Sequence, residues 1–441
     1  MTDDSTSVSR RDFIKTTASG VVAATAVIGG ARGAAASVTT RATRRAIGAN
    51  DRIRVGIVGV KGMGGGHLRN LVGPQMSADN VQVAAVCDIW ETVRLKAQVT
   101  AGLPDRAVHS DYRRLLDDKE IDAVVIATPD HWHGRIGLDA ILAGKHIYIE
   151  KPFTRRLDEA FKIYDAAKET GVRVQVGSHG CSDPKYLKAR ELVKSGQFGT
   201  LLWAQGSYCR NNPKGEWNYP IEPELTPQTL DWKTWLGPAP KRDFSAERFF
   251  RWRKYWDYGT GIIGDLWPHR LHPLLLAMNI TEFPKSVSCI GADMCHADSR
   301  TGTNGEPLGA TRDVPDTTMM IVEFPSGVSI VLAGSTVNER GFEDVVRFAK
   351  ANLTMGGNRL MVVPERPFAD EIDARDETPP DAGETHVKHM RNFLESVRAN
   401  VAPNCSEDLG IRVQTVVSMA ETAFRRQRLA RFDERRREIV V

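Results

Sequence analysis

The sequence lacks the features of a disulfide-stabilised, nucleic-acid-binding or membrane-spanning protein. Its six cysteines in 441 residues form no Cys-x-x-Cys pair and no regular framework, so we predict free, mostly buried thiols. The formal net charge of +4 is too small to indicate a nucleic acid or a membrane surface as partner. Beyond the first 36 residues no stretch is long and apolar enough to span a bilayer, and there is no internal repeat.

The composition and the length are those of an ordinary globular protein with two domains. Apolar residues make up 41% of the chain and charged residues 26%, as in soluble proteins generally. A chain of 441 residues favours two domains over one. Arginines cluster at residues 425–437, but glutamates interrupt them, which indicates a solvated face or a subunit contact.

Residues 1–36 have the pattern of an export signal. Residues 9–15, SRRDFIK, match the twin-arginine motif, a weakly apolar stretch follows over 16–31, and Ala34-Ala35-Ala36 offers an A-x-A cleavage site. We therefore expect the twin-arginine export machinery as a partner and a periplasmic location. Residues 37–52 are polar and are interpreted as a linker or arm.

The remaining chain divides into two patterns. From residue 53 to residue 178, short apolar runs alternate with helical segments, which predicts a Rossmann domain with a doubly wound parallel sheet. Over 179–441, longer alternating strands and two closing helices, 384–399 and 406–426, predict an α+β domain with a large, mostly antiparallel open sheet. We expect the last helix to pack back on the Rossmann domain.

A glycine-rich turn after the first predicted strand has the pattern of a dinucleotide fingerprint. Gly59 and Gly64 fit the outer positions of G-x-G-x-x-G, whereas Lys61 occupies the middle position, where the backbone normally approaches the pyrophosphate. Asp88 ends the second strand, where a carboxylate binds the adenosine ribose and repels a 2′-phosphate. These residues predict NAD rather than NADP. A turn that serves packing alone and a helix-capping role for Asp88 are the alternatives.

A second polar group follows Gly259-Thr260-Gly261. Asp265 and His269 are four residues apart, so on a helix they share one face. A carboxylate beside an imidazole can orient a general base and stabilise its protonated form. From the residues alone, a catalytic pair and a buried structural pair remain equally open, and His272 would complete a set of metal ligands. The other histidine pairs are interpreted as polar residues of a loop and of a helix surface: His131 with His133, and His386 with His389.

Residues 127–152 carry a family resemblance. They end in Glu150-Lys151-Pro152 and resemble the Gfo/Idh/MocA oxidoreductases, the family of glucose-fructose oxidoreductase and inositol dehydrogenase. The resemblance extends from about Ile53 to the C-terminus, and the family's D-x-x-x-H motif matches Asp265 and His269. It implies catalytic roles for Lys151, Asp265 and His269. The chain departs from the family at Lys61, often a glycine, and at His272, often an aspartate.

The resemblance also implies which residues line the cofactor and the substrate. The predicted cofactor site consists of Gly59, Lys61, Gly62, Met63, Gly64, Asp88, Thr128, Pro129, His133, Glu150 and Lys151. The predicted substrate contacts are Lys151, Tyr208, Arg253, Tyr258, His269 and His272. Seven of the nine tryptophans lie between Trp203 and Trp267, and aromatic faces beside amide and guanidinium donors suit a carbohydrate, although they also suit simple packing. No metal is predicted.

We therefore predict an exported NAD(P)-dependent oxidoreductase that moves hydride between a sugar or polyol CH–OH carbon and its cofactor. A folded enzyme outside the cytoplasm has little access to free nicotinamide, so we expect NAD to stay tightly bound. The resemblance also implies a homo-oligomer, a dimer or a tetramer. One alternative is a redox-neutral, NAD-dependent glycoside hydrolase of the same family. Another is a non-catalytic sugar-binding protein with a degenerate Rossmann domain, which only Lys61 supports.

Overall fold

The computed structural model describes residues 51–295 and 312–441, together with Gly48. The predicted twin-arginine signal, residues 1–36, lies outside this part of the chain, as does most of the predicted linker, 37–52. Within the described residues, no helix combines the length and the apolar character needed to cross a bilayer.

Residues 53–176 form a parallel sheet with helices on both faces. The strands are β1 (Ile53–Val58), β2 (Val81–Cys87), β3 (Val108–His109), β4 (Ala123–Ile126), β5 (His146–Ile149) and β6 (Val174–Val176), and they lie in the order β3-β2-β1-β4-β5-β6. The helices are α1 (Met63–Val72), α2 (Glu91–Ala101), α3 (Tyr112–Asp117), α4 (Asp130–Leu142) and α5 (Leu157–Thr170). Because helices cover both faces, the central strands are apolar throughout. The predicted doubly wound sheet is confirmed.

The strand order creates a crevice at one edge of this sheet. From β1 the chain proceeds outward to β2 and β3, and it then returns to β4 and proceeds in the opposite direction. The loops that leave the carboxyl ends of β1 and β4 therefore diverge, and ligands of doubly wound sheets bind in the gap between them.

The second sheet has ten strands among the described residues, in the order β14-β13-β12-β11-β7-β10-β9-β8-β15-β16. They are β7 (Leu201–Cys209), β8 (Ser286–Ala292), β9 (Thr317–Glu323), β10 (Ser329–Ser335), β11 (Val345–Phe348), β12 (Ala351–Thr354), β13 (Met361–Pro364), β14 (Arg375–Asp376), β15 (Ala430–Asp433) and β16 (Glu438–Val440). The helices of this region are α6 (Pro184–Lys194), α7 (Trp232–Leu236), α8 (Ala246–Phe250), α9 (Pro268–Ala277), α10 (His386–Ala399) and α11 (Glu407–Arg426). Apart from the parallel pair β7 and β10, the pairs are antiparallel, which confirms the predicted mostly antiparallel sheet.

Among the described residues, only one face of the ten-stranded sheet is covered. Along β9, Met320 and Val322 are buried, whereas Met319 and Ile321 between and beside them are each 54% exposed. This period-two alternation results when one face packs on helices and the other remains open. The helices on the covered face include α9 and α11.

Helix α11 joins the two sheets. It packs against α5 of the Rossmann region and against β8 of the second sheet. The Arg155 guanidinium donates to both carboxylate oxygens of Glu421 at 2.8 and 2.9 Å. In addition, the backbone N–H of Thr154 donates to the Gln414 side chain at 3.2 Å.

Two segments have structures that local patterns did not predict. Helix α4 begins at Asp130 and includes His131 and His133, which were expected in a loop, because Pro129 precedes its first turn and Asp130 suits the positive helix end. The arginine-rich tail forms the hairpin β15–β16, whose first strand pairs with β8. Such pairing is non-local, so local composition did not indicate it.

The six cysteines are free. Four of them are buried, namely Cys87, Cys181, Cys289 and Cys405. The prediction of free, mostly buried thiols is therefore confirmed.

Candidate active site

An ion pair between Lys151 and Asp265 joins the two domains at the crevice. Lys151 follows β5, and its Nζ lies 2.6 Å from Oδ1 of Asp265 and 2.8 Å from the Asp265 carbonyl oxygen. Each side chain is only 9% exposed. Asp265 belongs to a π-helical turn, Ile262–Leu266, that precedes α9. Since lysine has three N–H donors, one remains for an oxygen atom in the crevice.

Two further donors hold the Asp265 carboxylate. Arg253 Nε donates to Oδ1 at 2.9 Å, and Trp217 Nε1 donates to Oδ2 at 3.1 Å. Burial by itself raises the pKa of Asp265, but the charges and hydrogen bonds of Lys151 and Arg253 outweigh it and hold the pKa far below its usual range. Asp265 is therefore a permanently ionised acceptor that orients Lys151, and it is not a proton carrier.

His269 occupies the first turn of α9 and faces other rings. Its imidazole stacks on Tyr208, with centroids 5.1 Å apart, and meets the edge of His179 at 5.4 Å. Burial, the Lys151 charge and His179 hold the pKa of His269 well below its usual value, although Asp265 opposes them. At neutral pH the ring is uncharged, which is the state that a general base requires.

A cleft of about 680 Å³ runs along the carboxyl ends of the parallel strands. Its volume lies within the usual range for small-molecule sites. Nine of the predicted cofactor residues line it: Gly59, Lys61, Gly62, Met63, Asp88, Thr128, Pro129, Glu150 and Lys151. The other two lie behind the wall. Gly64 packs α1 against the turn, and the buried His133 contacts the carbonyl oxygens of Thr128 and Pro152 at 2.9 and 2.8 Å.

The glycine turn fits the pyrophosphate of a dinucleotide. A Cβ on Gly59 would lie 2.8 Å from the Ala127 carbonyl oxygen, and one on Gly64 would lie 1.7 Å from that of Gly59, so both positions need glycine. Gly62 has a φ of +54°, and a Cβ there would meet nothing within 4 Å. No side chain caps the N-terminus of α1 at Gly62. The N–H groups of Gly64 and Gly66 donate to the carbonyl oxygens of Lys61 and Gly62, so an anion would be bound by the other N–H groups of this first turn.

Asp88 lies at the adenosine side of this cleft. Its two carboxylate oxygens accept hydrogen bonds from the backbone N–H groups of Val60 and Trp90, each at 2.9 Å. Burial raises the pKa of Asp88, while these hydrogen bonds and the charge of Arg94 oppose the change. Each oxygen keeps a second lone pair, so the carboxylate can still accept from a ribose hydroxyl.

Lys61 leaves the turn and bridges the mouth of the cleft. Its Nζ forms an ion pair with Glu222 and lies 4.9 and 5.1 Å from the ring centroids of Trp90 and Phe250. The charged group thus lies between Trp90 of the Rossmann domain and two second-domain side chains, Glu222 and Phe250, and not in the middle of the glycine turn. A lysine at a usual glycine position is therefore compatible with an open pyrophosphate site.

Residues 219–235, which we call the strap, contribute six residues to the lining of the cleft: Tyr219, Pro220, Glu222, Asp231, Thr234 and Trp235. The Glu91 N–H donates to the Thr229 carbonyl oxygen at 3.1 Å. The Trp235 carbonyl oxygen lies 2.8 Å from His131 Nε2 and accepts from Trp132 Nε1 at 2.9 Å. The strap is thus attached to α2 and α4 of the Rossmann domain at two points that follow Glu222 in the sequence.

Two family models match the chain. The oxidoreductase-family model for an NAD-binding Rossmann fold matches residues 53–178, and the model for the C-terminal alpha/beta domain of the same family matches residues 187–305. The chain belongs to the Gfo/Idh/MocA oxidoreductase family. Membership is consistent with the dinucleotide cleft and with the two sheets described above.

Solved structures share the fold of this Gfo/Idh/MocA protein. Levoglucosan dehydrogenase in complex with NADH superposes with a TM-score of 0.66 at 19% identity, covering 86% of this chain and 98% of that one. The WlbA dehydrogenase from Chromobacterium violaceum, in complex with NADH and UDP-GlcNAcA, gives a TM-score of 0.65 at 17% identity, covering 88% and 99%.

Relatives with higher identity are named glycosyl hydrolase family 109 proteins. One from Shewanella pealeana is 28% identical over 240 residues, 53% of this chain and 46% of that protein. One from Saccharopolyspora erythraea is 26% identical over 345 residues, 75% of this chain and 67% of that protein. The match with the Shewanella relative thus spans about half of its length.

The structure brings together only part of the predicted substrate site of this Gfo/Idh/MocA protein. Lys151 and Arg253 line the cleft, and Tyr208 stacks on His269. Tyr258 is 0% exposed, packs against Trp235 with ring centroids 4.6 Å apart and does not line the cleft, so the structure does not place it with Lys151 and Arg253. The same holds for the buried His272, whose Nδ1 lies 2.9 Å from the Pro268 carbonyl oxygen. Tyr258 is buried by packing against other aromatic rings, and His272 is buried because of its position on helix α9.

The interpretation of four histidines as loop or helix-surface residues also needs correction. His131 and His133 lie in the first turn of α4 and are buried, because that helix starts earlier than predicted. His389 is buried on α10, with Nδ1 2.7 Å from Ser182 Oγ, and His386 is partly buried beside His179. Within residues 51–295 and 312–441, no three His, Cys, Asp or Glu side chains are placed to hold a metal ion.

Several residues of the site were missed from the sequence. Asp130 lines the cleft at 2% exposure, and its burial raises its pKa to about 7 although Arg253 lowers it. Its place after Thr128-Pro129, at the end of a buried strand, was the available signal. Trp217 and Glu222 lie in a loop-rich segment and had no such signal.

Proposed function

We propose that this protein oxidises a CH–OH group of a sugar or polyol with an NAD that remains bound. The observation that carries the proposal is the buried Lys151–Asp265 pair, which has a spare lysine donor and lies close to the uncharged His269. These are the two groups that alcohol oxidation needs: a cation for the oxygen and a base for its proton.

Each residue of the site has a separate role in this reaction. Asp265 fixes Lys151, and the third N–H of Lys151 holds the substrate oxygen and stabilises its developing negative charge. His269 removes the hydroxyl proton. When bound, NAD supplies the acceptor for the hydride that leaves the same carbon. Arg253 keeps Asp265 ionised, and Tyr208 holds the plane of the His269 ring.

Asp88 favours NAD over NADP in this proposal. The carboxylate lines the adenosine side of the cleft with both oxygens fixed by backbone N–H groups. A 2′-phosphate at that place would meet a buried negative charge, whereas a ribose hydroxyl would donate to it. The cation of Lys61 does not offset this preference, because Glu222 neutralises it.

The strap supports tight binding of the cofactor. A dinucleotide under residues 219–235 leaves only after the Lys61–Glu222 pair and the contacts of the strap to α2 and α4 have opened. Retention of the cofactor suits a protein that works outside the cytoplasm. We accordingly propose that the twin-arginine signal at residues 9–15 exports the folded, NAD-loaded protein to the periplasm.

Redox-neutral glycoside hydrolysis is the second candidate function. It is favoured by the glycosyl hydrolase family 109 names of relatives that are 26% and 28% identical. Lys151 and His269 would serve the same oxidation step, and the retained cofactor would return the hydride later in each cycle. A cofactor that cannot leave suits this cycle better than one that needs an external acceptor.

The open face of the ten-stranded sheet supports a homo-oligomer. Met319 and Ile321 on β9 and Ile290 on β8 are more than half exposed and lie on neighbouring strands. A contiguous apolar surface of this kind is a usual subunit contact. We propose that a second copy of the chain covers it, as a dimer or within a tetramer.

One experiment tests both candidate functions. The mature protein is purified and its nicotinamide absorbance and fluorescence are recorded before and after adding levoglucosan, glucose, myo-inositol and p-nitrophenyl glycosides. Bound NAD that becomes NADH supports the oxidoreductase, and released nitrophenol without net reduction supports the hydrolase. Protein that neither contains NAD nor takes it up on refolding would instead support a non-catalytic sugar-binding protein. Lys151→Ala and His269→Ala should abolish most turnover while NAD remains bound.

A further inference from the structure

Four imidazoles from distant parts of the sequence form a continuous row. His269 of α9 contacts His179, in the turn after β6, at a centroid distance of 5.4 Å. His179 contacts His386, the first residue of α10, at 4.3 Å. His386 contacts His67 of α1 at 5.8 Å. We call these four residues the histidine row.

The row has one end in the cleft wall and one branch towards solvent. His67 Nε2 lies 2.8 Å from Oε1 of the buried Glu150, which lines the cleft. On the other side, His179 Nε2 lies 3.5 Å from Oε1 of Glu384, and the Glu384 side chain is 35% exposed compared with 14% for His179. Glu384 is therefore the member of this group that reaches water.

Two nitrogens in the row are orphaned. Nδ1 of His179 and Nδ1 of His386 are buried and have no hydrogen-bond partner among the described residues. Buried polar atoms are normally satisfied, and exceptions mark bound water or a functional role. Because His179 Nε2 faces Glu384, the unpartnered Nδ1 leaves a second nitrogen of the same ring to exchange a proton with another group, and the neighbouring His386 ring has its centroid 4.3 Å away.

The proposed oxidation creates a proton that has to leave. The O–H bond of the substrate breaks and its proton moves to His269, while the C–H bond breaks and its electron pair leaves as hydride to the NAD named above, so that a carbonyl remains. Protonated His269 then lies beside the Lys151 cation, which disfavours a second positive charge. Before the next turnover, His269 therefore has to pass this proton to a neighbouring acceptor.

We propose that His179 and Glu384 conduct this proton between His269 and solvent. The assignment depends on the function proposed above and adds two positioning residues that no sequence motif indicated. The branch through His386 and His67 ends at the buried Glu150, which faces the cleft that the proposed cofactor would fill, so we assign the outlet to Glu384 instead. His179 is faced by His269, His386 and Glu384, with Lys151, Glu150, Arg270 and His389 behind them.

The test is buffer rescue of the full-length, NAD-loaded protein. His179→Gln and Glu384→Gln are compared with wild type and with the control His109→Gln, whose residue lies on β3 and does not line the cleft. The assay uses the sugar from the panel above that reduces bound NAD, in dilute buffer and then with added imidazole. Loss of a proton carrier should lower kcat about 10-fold with KM and NAD content unchanged, and imidazole should restore it.

A second measurement does not need turnover. Histidine carrying ¹³C at Cε1 reports by NMR on the titration of His269 with NADH bound. His179→Gln and Glu384→Gln should both move the His269 titration, and His109→Gln should leave it in place. A kcat loss that imidazole does not restore, or a His269 titration identical in all four proteins, overturns the proton path. Absence of any sugar oxidation with a shifted His269 titration overturns the proposed function and leaves the proton path standing.

Discussion

The Lys61–Glu222 pair gives a sharp test of how the cofactor is retained. Lys61→Met keeps a long apolar side chain and removes the charge, whereas Lys61→Gly restores the usual glycine of the fingerprint. If the pair closes the strap over the cofactor, both variants should release NADH faster. Glu222→Gln should produce the same effect from the other side of the cleft.

The magnitude follows from the contacts of the Lys61 ammonium. Its ion pair with Glu222 is partly solvated, at 39% and 38% exposure, and such pairs contribute about 0.2–1 kcal/mol. The ring of Phe250, at 5.1 Å across the cleft, adds about 0.5–1 kcal/mol as a cation–π partner, whereas Trp90, at 4.9 Å, lies in the same domain as Lys61 and does not contribute to closure. Allowing for shared desolvation, we expect about 1–2 kcal/mol in total, which corresponds to roughly 5- to 30-fold faster release.

The assay measures cofactor release directly. Protein loaded with NADH is mixed with excess NAD, and the loss of bound NADH fluorescence gives the dissociation rate. Lys119→Met, at an exposed lysine that does not line the cleft, is the matched control. In the double variant of Lys61→Met and Glu222→Gln, the effects should be less than additive, because the two residues share one interaction.

Two results would refute this reasoning. Release at the wild-type rate in both Lys61 variants would show that the strap holds without the ion pair. Slower release in Lys61→Gly would show that the lysine weakens the pyrophosphate site, as a degenerate fingerprint predicts.

Three further predictions concern buried carboxylates. Asp265→Asn leaves the Lys151 cation without its counter-charge, so the free energy of unfolding should fall by about 3–5 kcal/mol in urea titrations; an unchanged midpoint would contradict the ion-pair assignment. The pKa of Asp130 is about 7 in the folded protein and near 4 in an unfolded chain; its contribution to stability is thus complete below about pH 4 and is lost as the pH rises through 7. Asp130→Asn should therefore gain stability over wild type across this window, by up to about 4 kcal/mol, and a pH-independent difference would argue against the raised pKa. Asp88→Asn should raise NADPH affinity relative to NADH roughly 10-fold in fluorescence titrations, and an unaltered ratio would remove Asp88 from cofactor selection.

The structure changes the role of the aspartate in the Asp265/His269 pair. Four-residue spacing predicted one helical face with the carboxylate beside the imidazole. The chain instead passes from a π-helical turn into α9, and Asp265 is engaged by Lys151, Arg253 and Trp217. His269 is oriented by rings rather than by a carboxylate. Asp265 thus contacts Lys151 directly, whereas the Lys151 charge reaches His269 only through its influence on the pKa of that ring.

The sequence by itself determined the class of fold and one side of the site. Apolar runs that end in Gly59, Asp88 and Lys151 identify the carboxyl ends of parallel strands, because strand burial and strand termination are local properties of the chain. The same locality explains why α4 was misjudged only at its start and why the glycine turn was recognisable despite Lys61.

Only the tertiary structure decided which residues lie opposite those strand ends. Glu222 of the strap and three members of the histidine row, His179, His269 and His386, are separated from the fingerprint by long stretches of sequence, and no spacing rule relates them. Whether an aromatic residue such as Tyr258 meets substrate or the core depends on which surfaces the two domains bury against each other. Ion pairing and burial are properties of that packing, so the charge state of Asp265, the neutrality of His269 and the position of the Lys61 ammonium become definite only in the folded chain.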